Sequence, residues 1–286
     1  MKYLVFTFFI ALSVISSFSS CNKDTESCTE TVWYQDADAD GLGNPAVSQD
    51  ACDQPTGYVS NNSDTDDTVS SGVTLHAAFA EFDEGNTDIY LDGADVVIET
   101  NGLPNHSSVY WGEGHALYQD EPDVALTPST IPNYDASASL TVSTNPQLAS
   151  SSTSTQLGAI GIAVSGAAIF NDSEGNGPLS DAIVSLDYAG AHIGPSEYHY
   201  HLEPIPFSSD DDNLVGIMAD GFFIYGRKCN STNDYPTDLD ASGGHHSTTQ
   251  HNSDGEYHYH IINEFYTGSY ILLFGGDYQG TPSDIN

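Results

Sequence analysis

Basic residues are nearly absent from this sequence. The chain has 4 Lys and Arg against 41 Asp and Glu in 286 residues, a formal net charge of −37. A surface with that charge repels phosphates and anionic lipid head groups, which argues against nucleic acid as a partner. The same surface attracts divalent cations. Charged residues still make up only 16% and aromatic residues 11%, so the composition favours a folded, acidic domain over a disordered chain.

Other scarcities narrow the chemistry. The 2 Met residues disfavour a thioether site for Cu⁺. The 4 Cys residues include no Cys-x-x-Cys, which argues against a thiolate zinc site. If Cys21 is modified and so unable to pair, Cys28 and Cys52 are the natural disulfide pair in an oxidising compartment, and Cys229 is left either free or paired in another way. No Gly-x-Ser-x-Gly motif, phosphate loop or zincin helix occurs, and no convincing apolar stripe of helical length follows residue 21.

The N-terminus has the order of features found in an export signal. A positive start at Lys2 leads into an apolar run from residue 3 to 15, then small residues, then Cys21. The run is too short to span a bilayer. The segment resembles the lipobox of bacterial lipoproteins, with Phe18 where Leu is usual. The resemblance implies a signal peptide at residues 1–20 and an exported protein anchored through lipid on Cys21, facing outward from the outer membrane. A signal peptide cleaved elsewhere is the alternative.

Residues 21–72 are polar and dense in aspartate. Asp36, Asp38 and Asp40 alternate ahead of Gly41, a spacing that lets one loop wrap several carboxylates around Ca²⁺. The twelfth residue of the loop is Val47, where an EF-hand has Glu. The segment resembles the calcium-binding repeats of thrombospondin type 3 and the MopE-type motif of bacterial surface proteins. That resemblance implies a calcium-stiffened stalk, and a solvated acidic linker is the alternative.

Residues 73–286 contain short runs rich in Val, Ile, Tyr and Phe, separated by turn residues. This pattern predicts an all-β domain, a single sandwich or distorted barrel with long loops at 119–135, 140–156 and 229–253. The predicted strands are 73–82, 94–100, 159–170, 182–188, 197–202, 214–225, 256–263 and 270–274.

One motif occurs twice. Glu-Tyr-His-Tyr-His at residues 197–201 recurs at residues 256–260. Side chains alternate along a strand, so two His residues would share one face and the Tyr residues the other. If the two strands are neighbours, four imidazoles would converge, a site suited to Zn²⁺ or Cu²⁺. The metal ligands predicted from this motif are His199, His201, His258 and His260. The alternative is a set of hydrogen-bonded core histidines.

Further motifs give this region a family resemblance. Asn-Gly-Leu-Pro-Asn-His at 101–106, the segment 160–171 and Ala-Asp-Gly-Phe-Phe-Ile-Tyr-Gly at 219–226 accompany the two repeats. Together they resemble the YHYH domain of bacterial surface proteins, over roughly residues 73–286. Phe223 and the Ala-Gly-Ala before His192 depart from that pattern. His106 and His192 are further candidates for the metal cluster. Asp220 would either orient an imidazole or begin an Asp-Gly turn.

Three functions remain open from the sequence. The first is a surface protein whose histidines hold Cu²⁺ or Zn²⁺. The second is an enzyme that uses the same pocket on an extracellular substrate such as a polysaccharide, with a metal-activated water or a His/Tyr acid–base pair. The third is a calcium-stiffened adhesion or glycan-binding module. A catalytic metal would leave a ligand position open, whereas a structural metal would be fully enclosed.

Overall fold

The computed structural model describes residues 30–37, 42–52, 54–64, 73–175, 177–194 and 196–286. The all-β prediction is confirmed, since the helical segments among these residues are single 3₁₀ turns of three to five residues. No helix in the described part of the chain is long and apolar enough to cross a bilayer.

Twenty short strands follow one another along the described residues. The strands are β1 (Thr31–Gln35), β2 (Ser48–Ala51), β3 (Tyr58–Val59), β4 (Thr87–Asp92), β5 (Asp95–Thr100), β6 (Ala138–Ser143), β7 (Thr153–Ser154), β8 (Gly161–Ala163), β9 (Ala168–Ile169), β10 (Ser173–Glu174), β11 (Gly177–Pro178), β12 (Ala191–Ile193), β13 (Tyr198–Tyr200), β14 (Leu214–Met218), β15 (Phe223–Tyr225), β16 (Gly244–Ser247), β17 (Glu256–His260), β18 (Phe265–Thr267), β19 (Tyr270–Ile271) and β20 (Asp277–Tyr278). The 3₁₀ turns are Ala77–Glu81, Val109–Trp111, Ile131–Asn133, Leu179–Asp181 and Ile183–Ser185.

Eight of the strands form one mixed sheet in the order β12-β13-β9-β8-β14-β15-β17-β16. Two of its pairs are parallel, β13 with β9 and β15 with β17. Within the described residues β12 and β16 end this order and do not pair with each other, so the sheet is open. The barrel alternative is therefore wrong.

The sheet is built from two equivalent halves. The β8–β9 hairpin pairs Gly161 with Ile169, and the β14–β15 hairpin pairs Gly216 with Ile224 in the same register. Where the halves meet, Ile162 lies opposite its counterpart Ile217. Gly161 likewise lies opposite Met218, and Ala163 opposite Gly216. This reciprocal pairing is that of a two-fold axis normal to the sheet. Equivalent side chains of the two halves therefore lie on the same face.

The core lies between this sheet and a three-stranded sheet, β4-β5-β6. Along β5, Val96 and Ile98 are buried while the flanking residues are more exposed, the alternation of a half-buried strand. Val142 of β6 faces the turn at Gly221, where an added Cβ would lie 3.4 Å from Val142 Cβ. The domain is thus a two-layer sandwich, as one of the two predicted alternatives states.

Two predicted strands are wrong. Residues 73–82 and 182–188 instead contain 3₁₀ turns at Ala77–Glu81 and Ile183–Ser185. Local hydrogen bonds stabilise these turns. The His76 ring caps the first turn by accepting from the Ala78 N–H, and Ser185 Oγ donates to Ala182 O in the second. Two of the predicted loops also contain strands, since β6 enters the segment 140–156 and β16 lies within 229–253.

The described part of residues 21–72 forms its own small antiparallel sheet, β2-β1-β3. Cys52 follows β2 and is disulfide-bonded. Its predicted partner Cys28, the proposed lipid site Cys21 and the whole signal segment lie outside the described residues.

Candidate metal centres

The two Tyr-His-Tyr-His strands form two separate clusters instead of one shared pocket. Four strands lie between β13 and β17 in the sheet, which places the clusters roughly 24 Å apart at the usual interstrand spacing. The first cluster, called site one, consists of Glu174, His192, His199 and His201. The second, called site two, consists of Cys229, His245, His258 and His260. In each cluster the ligand atoms lie within 4.8 Å of one another. The two strands are not neighbours, so their four imidazoles do not converge on one site as expected.

Equivalent hairpins position the histidines. In site one the β12–β13 hairpin pairs His192 with His199, and in site two the β16–β17 hairpin pairs His245 with His258. The third imidazole of each site comes two residues further along the second strand, on the same face. All six rings are buried.

The tyrosines of the motif brace each hairpin from the opposite face of the strand. Tyr198 donates to Asp187 Oδ2 over 2.7 Å, and its counterpart Tyr257 donates to Asp240 Oδ2 over 2.7 Å. The second tyrosine of the first motif, Tyr200, lies 2.9 Å from Ser165 Oγ. These bonds fix the strand whose other face carries the histidines.

Asp220 occupies the position in the second half that Ser165 has in the first. It accepts from the Tyr259 hydroxyl over 2.6 Å and from the Gly280 N–H over 2.9 Å. Gly221 follows it at φ +88°, a conformation that favours glycine, so the Asp-Gly turn is present. Asp220 therefore acts on the strand through a tyrosine hydroxyl and does not orient an imidazole.

The Nδ1 nitrogen of each of the six imidazoles lies within hydrogen-bond distance of an oxygen that has no hydrogen available to donate to it. Ser185 is the one hydroxyl among these partners, and its own hydrogen is already donated to Ala182 O. Each Nδ1 therefore carries the proton, and each neutral ring presents a lone pair at Nε2. The Nδ1 partners are Ser185 Oγ for His192, Glu197 O for His199, Asn171 O for His201, Asp238 Oδ1 for His245, Glu256 O for His258 and Gly226 O for His260.

The lone pairs of site one point at one another. His199 Nε2 lies 3.1 Å from His192 Nε2 and 3.0 Å from His201 Nε2. Glu174 Oε1 lies 3.0 Å from Nε2 of both His192 and His201, yet this buried oxygen accepts no hydrogen bond. Four acceptors without a shared donor repel one another unless a cation lies between them.

Site two has the same arrangement with sulfur in place of oxygen. His258 Nε2 lies 3.1 Å from His260 Nε2, and Cys229 Sγ lies 3.6 Å from His245 Nε2. Cys229 is buried and forms no disulfide. Burial alone would raise the pKa of its thiol, but the neighbouring hydroxyls of Ser231 and Ser247, and then His245, bring the pKa below its usual value. This environment favours the thiolate, the form that binds metals.

Burial favours the neutral form of His199 and His258. Burial, and then the neighbouring His201 and His192 rings, lowers the pKa of His199 well below its usual 6.5. Burial, and then the His260 ring, lowers the pKa of His258 to about 3. Neutral imidazole is the form that coordinates a metal ion.

The separations match those around a tetrahedral ion. Zinc bonds of about 2.0–2.1 Å to nitrogen and 2.3 Å to sulfur hold two nitrogens about 3.3 Å apart and a nitrogen and a sulfur about 3.6 Å apart. The nitrogen–nitrogen separations of 3.0–3.1 Å and the nitrogen–sulfur separation of 3.6 Å lie close to these values. Each cluster offers four protein ligands, the number found in closed zinc sites.

The other predicted site residues lie elsewhere. His106 lies outside both clusters, with Nε2 2.7 Å from the Tyr200 hydroxyl and Nδ1 2.8 Å from Ser107 O. Asp36 follows β1, and its backbone N–H donates to Gly57 O. Asp38 and Asp40 lie outside the described residues, so calcium binding there stays a prediction.

Sequence reasoning missed three members of the clusters: Glu174, Cys229 and His245. His245 falls within the predicted loop 229–253, but it is buried in β16. A weaker internal repeat could have identified it, because Leu-Asp-Tyr-Ala-Gly-Ala-His at 186–192 matches Leu-Asp-Ala-Ser-Gly-Gly-His at 239–245. The absence of Cys-x-x-Cys argues only against a site built from paired cysteines. A single thiolate that joins three histidines needs no such motif.

A cavity of about 480 Å³ lies away from the clusters. Its lining includes Phe79, Phe223 and Tyr257 but none of the eight clustered residues. The six clustered histidines therefore do not line this cavity.

A family model described as "YHYH protein" matches residues 139–237. The match contains all of site one, together with Cys229 of site two, and it ends before the second hairpin. No curated protein and no solved structure matches the chain.

Proposed function

We propose that this protein binds two transition-metal ions, one at each site, on the outside of a bacterial cell. The observation that carries the proposal is the fixed orientation of the six imidazoles. Each Nδ1 hydrogen is held by an acceptor, so six Nε2 lone pairs converge in two groups of three, each with one anionic ligand. Borderline ions such as Zn²⁺ and Cu²⁺ suit these ligands.

Binding is favoured over catalysis at these sites. A catalytic zinc has three protein ligands and one open position, whereas each cluster supplies a fourth protein ligand. The proposed location outside the cytoplasm is supported by the disulfide at Cys52. In an oxidising compartment a free thiol is exposed to oxidation, and burial together with a bound ion would protect Cys229. The acidic surface, with a formal charge of −37, would concentrate cations near the protein. A lipid on Cys21 and calcium at the aspartate segment complete the proposal.

Metal analysis of the purified protein tests the proposal. After equilibration with Zn²⁺ or Cu²⁺ and removal of excess ion, we expect two ions for each chain. Replacing both His199 and His201 by Ala should leave one ion, and so should replacing both His258 and His260. His246→Ala is the matched control, because this exposed neighbour of His245 belongs to neither cluster. Metal content that is unchanged when all four ligands are removed, or no bound metal in the parent protein, would overturn the proposal.

One observation favours a second candidate, glycan binding. The β18–β19 hairpin exposes Phe265 and Tyr270, with relative exposures of 72% and 44%. Exposed aromatic rings offer a large apolar area for packing against a ligand. Binding to immobilised polysaccharides that is lost in a Phe265→Ala and Tyr270→Ala variant would support this candidate, and unchanged binding would contradict it.

A further inference from the structure

The two sites differ in one ligand at equivalent positions of the repeat. In the first half, Asn171 O accepts from His201, and Glu174 is the third residue after Asn171. In the second half, Gly226 O accepts from His260, and Cys229 is the third residue after Gly226. The same backbone position therefore delivers a carboxylate to site one and a thiolate to site two.

The two fourth ligands also differ in their access to water. The Glu174 side chain is 24% exposed, whereas Cys229 is 1% exposed. Part of the Glu174 side chain therefore reaches solvent, although its ligand oxygen Oε1 is buried. All four ligands of site two are buried.

Ligand softness separates the ions that each site should prefer. A thiolate selects soft and borderline ions, whereas a carboxylate accepts harder ones such as Mn²⁺. Resting on the proposed function, we infer that the sites have different roles. Site two permanently holds a thiophilic ion such as Zn²⁺ or Cd²⁺. Site one is an exchangeable site for harder or borderline divalent ions.

The experiment uses Cd²⁺ as the thiophilic probe and Co²⁺ as the reporter. Bound Co²⁺ gives a sulfur-to-cobalt charge-transfer absorption only where a thiolate is a ligand. We expect the first equivalent of Cd²⁺ to abolish this absorption in a later Co²⁺ titration, because Cd²⁺ fills site two first. One Co²⁺ ion should still bind, at site one, without that absorption. Cys229→Ser should remove the absorption, which assigns the band to this thiol.

Exchange kinetics provide a second readout. In the protein loaded with two Zn²⁺ ions, EDTA should remove the ion of site one at least about tenfold faster than the ion of site two. The paired substitutions Glu174→Cys and Cys229→Glu move the two ligands between equivalent positions. The Cd²⁺ preference should move with the thiolate to site one in this double variant.

The outcomes separate this inference from the proposed function. Two bound ions with equal Cd²⁺ affinity and equal release rates would overturn the inference while the proposed function stands. A Cd²⁺ preference that stays at site two after the exchange of ligands would also overturn the assignment to the thiolate. No metal at either site would overturn both.

Discussion

Occupying the two sites should raise the unfolding temperature in two separable steps. The ligands converge only in the folded chain, so an ion that binds the folded state stabilises it by the free energy of binding. At a free ion concentration 100 times the dissociation constant, each site adds about 2.7 kcal/mol. For a domain of this size, each kcal/mol raises the unfolding temperature by about 2–4 °C. We therefore expect a rise of roughly 5–11 °C from each site and of roughly 11–22 °C from both.

Calorimetry with and without Zn²⁺ measures these steps. His199→Ala should remove the increment from site one, and His258→Ala the increment from site two. Each variant should keep the other increment, because the clusters share no ligand and lie far apart in the sheet. The exposed His246→Ala serves as the control and should keep both increments.

Combining the two substitutions should remove both increments. With both His199 and His258 replaced, the zinc-dependent rise should nearly vanish while the metal-free unfolding temperature shows only the cost of two core substitutions. A rise in the double variant as large as in the parent protein would show that zinc acts at other groups, such as the many surface carboxylates. No rise in the parent would refute the account of the six lone pairs.

Two further predictions test the surroundings of the sites and the join between the halves. Ser185→Ala and Asp238→Ala each remove the partner of one ligand's Nδ1 and should weaken zinc binding by about 10–100-fold at that site alone; a chelator competition assay measures this, and an equal loss at both sites would contradict it. Gly216→Ala should destabilise the fold by about 1–3 kcal/mol, because its Cβ would meet Ile162 O at 2.4 Å. Gly194→Ala has open space and should change the free energy of unfolding little; equal effects of the two substitutions in chemical denaturation would contradict the packing argument.

Much of the fold could be predicted because the strands carry their own pattern. The segment 94–100 has an apolar run of β-branched residues between polar ones and contains β5, and each YHYH motif contributes to a strand. The two wrong strands are apolar runs of similar length, at 73–82 and 182–188. Composition does not separate them from strands, because local capping by His76 and Ser185 selects the 3₁₀ turns.

The candidate sites were predictable only in part. The identical motifs at 197–201 and 256–260 revealed four histidines, and local strand geometry put each pair on one face. The sequence could not show that the two pairs belong to different sites. That depends on the order of strands in the sheet, where β9, β8, β14 and β15 separate the two motifs.

The fourth ligands were missed for a chemical reason. Glu174 and Cys229 are equivalent in position but share neither charge nor size, so a search for repeated residues does not match them. The repeat becomes visible through its backbone, in the paired registers of the hairpins.

Comparing the two halves of the internal repeat shows which features both sites share. Both halves keep the three imidazoles, the Nδ1 acceptors and the tyrosine that donates to an aspartate, at Asp187 and Asp240. These groups fix the geometry around an ion and are alike in kind. The carboxylate and the thiolate both reach the space between the rings, and the proposed difference in ion preference rests on this fourth ligand. The two sites also differ at one Nδ1 acceptor, which is Ser185 Oγ for His192 and Asp238 Oδ1 for His245. If the Cd²⁺ preference stays at site two after Glu174 and Cys229 are exchanged, the groups around the ligands, and not the fourth ligand, set the preference.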